Sequence, residues 1–320
     1  MVSPTFLCHF ASTPSVMEGL NAGMVISLAI KNLKNSIMPT GRPIVEIFAG
    51  TWPQPSRPLP LCPPQFCVRL TLLGTGTSQG VPLLTCRCRV CTSADPRDRR
   101  FRSSAWLEDE NLSVVIDTSP DFRSQALRAG IPRLDAAIYT HSHADHIAGF
   151  DDLRTYSVKN GNRIPVYADP FTLSRLHQAY DYAFDLNHRS SAYVCPEPHR
   201  IEGPFTLGAI TFTPLPVPHG TMTTTGFRFD RDGRARAAYL PDCAAVPAPI
   251  RNLLRDIPVL IIDGLREEPH PTHLTIAQAI DIAQNVRAQK TFLTHLTHLT
   301  LHAEREATLP PGIHLAYDGL

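Results

Sequence analysis

Three imidazoles and one carboxylate fall within six residues in His141-Ser142-His143-Ala144-Asp145-His146. Imidazole nitrogen and carboxylate oxygen together suit zinc, manganese or iron, and a mixed set leaves positions open for water. Alternate residues of an extended chain point the same way, so His141 and His143 can close on one ion. Asp145 and His146 come one step later, where the chain turns, and can face a second ion. Three more polar residues stand where apolar runs end: His219 after Thr213–Pro218, Asp242 after Ala238–Pro241 and His295 after Thr291–Thr294. Each alone reads as an ordinary loop residue. With the histidine loop they supply the complement for two metals.

A second set uses softer donors. Cys86, Cys88 and Cys91 in Cys86-Arg87-Cys88-Arg89-Val90-Cys91 are spaced too tightly for a disulfide framework. They read as metal ligands in a reducing compartment. The alternative is three reduced core cysteines. A redox role has no partner pattern to support it.

The elements that must position these residues can be traced around them. Leu134–Thr140 reads as a buried strand emptying into the histidine loop. Val68–Leu73 reads as a strand that breaks at Gly74-Thr75-Gly76-Thr77-Ser78-Gln79-Gly80, a glycine spacing that is neither a P-loop nor a dinucleotide fingerprint. Ser103–Leu107 and Leu112–Asp117 read as antiparallel strands, and Pro120–Ala129 as a helix stopped by Gly130. Further helices are expected at Ile147–Tyr156, Pro170–Phe184 and Leu274–Ala288. Further strands are expected at Ile164–Ala168, Ala209–Leu215, Thr224–Phe229, Ala235–Leu240, Val259–Ile262, Thr291–Leu293 and His314–Tyr317. Two groups of strands flanked by helices predict an α/β sandwich of sheets with helices outside.

Residues 1–67 read differently. They carry Pro53, Pro55, Pro58, Pro60, Pro63 and Pro64 and no sustained periodicity, apart from a short helix expected around Met17–Leu33. The expectation is a Pro-rich, disordered N-terminal extension, followed by one organised domain over 68–320. Hydrophobic content of 43% and charged content of 18% describe a globular protein. A net charge of +1 gives no field of the kind nucleic-acid binders carry. The longest apolar stretch, Gly23–Ile30, cannot span a bilayer, and the start lacks a signal-peptide pattern. A cytoplasmic protein is expected, with no membrane and no nucleic acid as partner.

The ligand set resembles the metallo-β-lactamase superfamily in its binuclear hydrolase form, an αββα sandwich of two mixed β-sheets flanked by helices. By that resemblance His141, His143 and His219 hold one divalent ion, Asp145, His146 and His295 hold another, and Asp242 bridges them. Two such ions (Zn²⁺ or Mn²⁺) about 3.5–4 Å apart activate a shared water and clamp both oxygens of a phosphoryl displacement. Asp117, at its own strand end, either orients a ligand from behind or has a plain structural role. The resemblance also supplies His298, in Leu293-Thr294-His295-Leu296-Thr297-His298, as the fourth ligand of a closed structural zinc with the cysteines.

These features together resemble the PhnP family of phosphoribosyl cyclic phosphodiesterases. The likeness runs from Val68 onward through Gly74-Thr75-Gly76, the cysteine loop, the histidine loop, the His295/His298 pair and Tyr317-Asp318-Gly319. It implies a phosphodiesterase acting on a small phosphorylated substrate, 5-phospho-α-D-ribosyl 1,2-cyclic phosphate, opened to α-ribose 1,5-bisphosphate. It makes Asp145 and His273 catalytic, His273 as general acid to the departing oxygen, with His270 a neighbour that could take the role. His177, His188, His199, His302 and His314 are expected in surface or packing roles. A homodimer is left open. The alternatives are an RNA-processing or cyclic-nucleotide phosphodiesterase of the same fold, or a PqqB-like cofactor-biosynthesis protein, whose family departs from the full ligand set.

Overall fold

The computed structural model describes residues 68–161, 163–185 and 192–320, and the backbone of two short strands near the start. The chain divides into two units, Met1–Pro58 and Leu59–Leu320. In the first, β1 (Val25–Leu28) pairs antiparallel with β2 (Ile47–Gly50). This corrects the expected helix at Met17–Leu33 over its middle, where adjacent β-branched Val25 and Ile26 favour extended backbone. The expectation of a disordered extension over 1–67 otherwise lies outside the described residues.

The second unit holds two sheets. One runs β3 (Arg69–Gly74), β4 (Ser104–Asp109), β5 (Leu112–Ile116), β6 (Ala136–Ile138), β7 (Ile164–Ala168) and β8 (Pro196–Arg200), in that order. Its first three strands are antiparallel and the rest parallel. The other runs from β9 (Phe205–Leu207) through β10 (Ile210–His219), β11 (Met222–Arg231), β12 (Arg234–Leu240), β13 (Val259–Asp263) and β14 (Lys290–Thr294) to β15 (Ile313–Leu315). It too changes from antiparallel to parallel, at β12.

Alternation along each strand sorts the apolar residues into layers. Leu72, Val114, Ile138 and Ile261 join Phe212, Phe227 and Phe229 in the core between the sheets. Their neighbours point outward. Leu73, Val115 and Tyr139 meet Phe122 of α1 (Phe122–Ala129) on one outer face. Leu260 and Ile262 meet Ile250 of α6 (Ala248–Leu253) and Ile276 and Ala279 of α7 (Ile276–Asn285) on the other. The predicted helix–sheet–sheet–helix sandwich is the fold observed.

Several expected boundaries move, for local reasons. The helix expected at Ile147–Tyr156 is instead α2 (Ala144–Ile147), a 3₁₀ turn at Phe150–Leu153 and α3 (Arg154–Lys159). Gly149 breaks the run by pressing its backbone onto the loop after β5, donating to Thr118 O at 2.9 Å; a Cβ there would collide with the Ser119 carbonyl. The expected Pro170–Phe184 helix divides into α4 (Pro170–Ala179) and α5 (Asp181–Phe184). The strand expected to stop at Leu215 runs on to His219 despite Pro214, Pro216 and Pro218. Pro218 O faces away from β11 to accept from Ala244 N at 2.7 Å, so these alternate prolines turn their nitrogens to the side with no ladder to complete. α7 begins later than expected because Thr275 caps it, closing a capping box with Gln278.

The ligand candidates therefore gather at one edge of the sandwich, where β5, β6, β12, β13 and β14 end. Among the described residues no helix is long and apolar enough to cross a membrane.

Candidate metal centre and active site

The loop leaving β6 delivers its residues as their spacing implies. His141 is fully buried beside the sheet end, His143 stands as N-cap of α2, and Asp145 and His146 lie in the first turn of that helix. β10 ends in His219, the turn after β12 supplies Asp242, and the residue after β14 is His295. Ligand atoms of His141, His143 and His219 lie within 4.8 Å of one another, and those of Asp145, His146, Asp242 and His295 do the same.

Asp242 stands between the two groupings. Its Oδ2 is 3.3 Å from His295 Nε2 and 3.9 Å from both His141 Nε2 and His219 Nε2, while Oδ1 is 3.4 Å from His146 Nε2. Asp145 Oδ2 lies 3.3 Å from His146 Nε2 and 3.7 Å from His295 Nε2.

Hydrogen bonds from behind aim these rings. Asp117 accepts from Thr140 N and Thr140 Oγ1 at 2.8 Å each and from His146 Nδ1 at 2.7 Å. Its orienting role, one of the two sequence alternatives, is the one its contacts support. Thr140 Oγ1, having donated to Asp117, accepts from His141 Nδ1 at 2.9 Å. His219 Nδ1 donates to Thr272 O at 2.7 Å. Each of these rings thus keeps Nε2 for the cluster. His295 and Asp117 adopt left-handed backbone, with φ of 59° and 62°.

Do these residues fit metal ions? His146 Nε2, Asp242 Oδ1 and both nitrogens of His295 are buried with no hydrogen-bond partner among the described residues. Buried polar atoms are rarely left so, and a cation is the group that would satisfy them all. Charge says the same. Burial works to raise Asp145, yet His146 and His295 hold its carboxyl well below the usual range. Burial likewise opposes charge on His295, but Asp242 and Asp145 push it up to about 9. Two buried carboxylates demand positive charge, and divalent metal answers that demand with the imidazoles neutral. The residues fit divalent metal binding.

Cys86, Cys88, Cys91 and His298 also come together, their ligand atoms all within 4.8 Å. Cys86 Sγ and Cys88 Sγ each lie 3.4 Å from His298 Nδ1, and the cysteines are free thiols. The Cys91 N–H, then His298, lower the Cys88 thiol to about 6, while burial raises Cys91 to about 11. Backbone N–H groups aimed at Cys88 and at Cys91, the latter from Leu83 N at 3.3 Å, are what ligating thiolates require.

His273 lies against the first cluster, its ring centroid 4.6 Å from that of His295 and 4.7 Å from that of His219. It donates from Nδ1 to Asp263 Oδ2 at 2.7 Å, and the same oxygen accepts from Cys243 N at 3.0 Å. Asp263 was missed in the sequence. The signal available was a carboxylate ending an apolar run before Gly264, the pattern Asp117 and Asp242 also show. His273 joins two more candidate groupings, with His219 and Asp242 and with Asp263 and His295. His270 enters no grouping; its ring lies 5.1 Å from His273, and Nδ1 faces Thr272 Oγ1 at 3.1 Å.

Also unanticipated is the tie between two short motifs. Asp318 Oδ1 accepts from Thr75 N at 2.9 Å and Thr75 Oγ1 at 2.8 Å, and Oδ2 from Phe101 N at 2.7 Å. Thr75 O in turn accepts from Leu296 N at 2.9 Å, and Thr77 N donates to Leu296 O at 3.1 Å. Of the remaining histidines, His302 packs in the interior against Arg100, His199 and His314 are partly exposed, and His188 lies outside the described residues.

Fold and ligand set together define the class: a hydrolase of the metallo-β-lactamase fold. A beta-lactamase superfamily domain matches residues 113–296. The crystal structure of a diphosphatase from the PhnP family superposes with a TM-score of 0.73 at 42% identity, covering 79% of this chain and 95% of that one. The chain belongs to the beta-lactamase superfamily and, within it, to the PhnP family. An octanoyltransferase of Porphyromonas gingivalis is 39% identical over 259 residues, 79% of this chain; the chain spans only 51% of that protein's length. Zinc-bound PqqB from Methylobacterium extorquens shares the fold at 21% identity and a TM-score of 0.65, over 78% of this chain and 98% of that one.

Proposed function

We propose that the protein hydrolyses a bridging P–O bond in a small phosphorylated substrate. The leading substrate is 5-phospho-α-D-ribosyl 1,2-cyclic phosphate, opened to α-ribose 1,5-bisphosphate. The observation that carries this reading is the Asp263–His273 pair set at 2.7 Å against two adjoining ligand groupings. In this reading His141, His143 and His219 hold one divalent ion (Zn²⁺ or Mn²⁺), and Asp145, His146 and His295 a second. Asp242 is shared between them, and the cysteines with His298 hold a structural zinc.

The active-site ions, when bound, supply an activated water and polarise the phosphoryl oxygens. The chain's own residues do the rest. Asp145 and Asp242 offset part of the positive charge while leaving the site attractive to an anion. Asp117 fixes the His146 ring. Asp263 accepts a hydrogen bond from Nδ1–H of His273, which turns Nε2 toward the reacting group; as the imidazolium, His273 hands its Nε2 proton to the departing alkoxide and keeps Nδ1–H on Asp263.

Hydrolysis of a diphosphate is the second reading, favoured by the 42% identical structure, which is a diphosphatase. Both reactions displace a bridging oxygen. They differ in how much that oxygen needs a proton, since a phosphate leaves more readily than an alkoxide. Metal-loaded protein assayed on cyclic phosphodiesters and on diphosphates separates them.

His273→Ala tests the acid role in the same assay. It should keep its metals and lose roughly 10²–10⁴-fold in rate on a substrate with a poor leaving group. The loss should shrink on bis(p-nitrophenyl) phosphate, whose leaving group departs unprotonated. Equal losses on both would remove His273 from the acid role, and a lost metal would make it a ligand.

A further inference from the structure

Beside His273 the surface opens into a cavity of about 220 Å³ that the chemistry described so far does not use. Its walls carry Thr77, Ser78 and Gln79 of the glycine-rich loop after β3, and Arg266, His270 and His273 of the segment after β13. No carboxylate lines it. Hydroxyls, an amide, three imidazoles (the third is His298 of the cysteine cluster) and one guanidinium are a donor-rich lining suited to an anion.

Arg266 is the charge in that lining. It makes no ion pair among the described residues, and its contacts are to the carbonyls of Glu268 and Pro269, at 3.3 and 3.2 Å. Its neighbour Glu267 is engaged elsewhere, 2.6 Å from Arg305. The guanidinium is thus held by neutral oxygens, with no carboxylate to compensate it. His273 is a wall of the cavity and also touches His219 and His295, so the cavity adjoins the ligand groupings directly.

We infer that this cavity seats a second phosphate group of the substrate, with Arg266 as the residue that reads it. The inference rests on the proposed hydrolysis and deepens it by giving the 5-phosphate of the leading substrate a place and a residue that binds it. The glycine-rich loop, which matched no phosphate-binding fingerprint, then acts as the far wall of a phosphate seat without being a phosphate cradle itself.

Full-length, metal-loaded protein is assayed on 5-phospho-α-D-ribosyl 1,2-cyclic phosphate and on the same compound lacking the 5-phosphate. Arg266→Gln should lose about 10–100-fold in kcat/KM on the first, the usual worth of a charge-assisted contact, and little on the second. Arg266→Lys, which keeps the charge, should recover part of the difference. Equal losses on both substrates would make Arg266 a clamp of its own loop and overturn the inference, as would no loss on either.

Binding of ribose 5-phosphate, measured by calorimetry, is a readout independent of catalysis. Wild type should bind it, and Arg266→Gln should weaken binding about tenfold or more. Absent binding, or binding indifferent to the substitution, sinks the phosphate seat. If neither cyclic phosphate is hydrolysed, the proposed function fails on its own, and the calorimetry still decides the cavity.

Discussion

The two ligand clusters share a loop and differ in almost everything else. His295 and His298 stand three residues apart, one in each. Around His295 the partners are oxygen and nitrogen donors from distant strand ends, deeply buried, with several atoms left without hydrogen bonds. Around His298 the partners are three thiols from one short loop, two of them only partly buried, and backbone N–H groups meet the sulfurs. A cluster with unfilled demand can take up a ligand or a reacting group. A cluster of four matched donors closes on its ion and holds the chain. What differs is donor type and depth of burial, and that difference supports the separate roles proposed for the two.

Three measurements sharpen that contrast. The largest effect is expected from Asp242→Ala. It removes the carboxylate that touches both groupings, so active-site metal and hydrolysis should disappear together while zinc at the cysteines stays. Retention of active-site metal by that variant would deny Asp242 its central place.

Cys88→Ser should do the reverse. About one zinc per chain should go, and because metal-binding energy is folding energy, even ~2 kcal/mol would lower the midpoint by about 4–8 °C in a domain of this size. Rate per remaining active-site ion should change little. Unchanged zinc and melting would return the cysteines to ordinary core residues.

The smallest effect concerns the tie that steadies the shared loop. Burial raises Asp318 to about 6 from the ordinary 3.8, against the pull of the Phe101 N–H and Thr75. A raised acid binds its proton more tightly folded than unfolded, so this contribution is complete below pH 3.8 and fades as pH rises through about 6. Urea midpoints across that window should fall with pH in wild type and flatten in Asp318→Asn. Parallel profiles would remove Asp318 as the cause.

The contrast also explains what could be read from the sequence. The histidine and cysteine loops were legible because their donors are close in the chain and chemically distinctive. The sandwich was legible because Leu72/Leu73 and Val114/Val115 alternate between two apolar layers. Asp263 was not, because an aspartate before a glycine has the look of a turn. It becomes a partner of His273 only once β13 lies parallel between β12 and β14. The strand through Pro214, Pro216 and Pro218 was cut short because prolines normally end a ladder, and only the sheet shows that their side of β10 has none. Thr75 and Asp318 were seen as motifs, but not that each exists for the other.

The left-handed turn at His295 sets stability and activity against each other at one position. A backbone with φ of 59° suits glycine or asparagine and costs other residues on the order of 1 kcal/mol. Folding alone would favour glycine or asparagine at this position, whereas the second ligand grouping needs an imidazole there. A substitution that relieves this backbone would therefore remove a candidate metal ligand at the same stroke, so stability and the proposed activity pull against each other there.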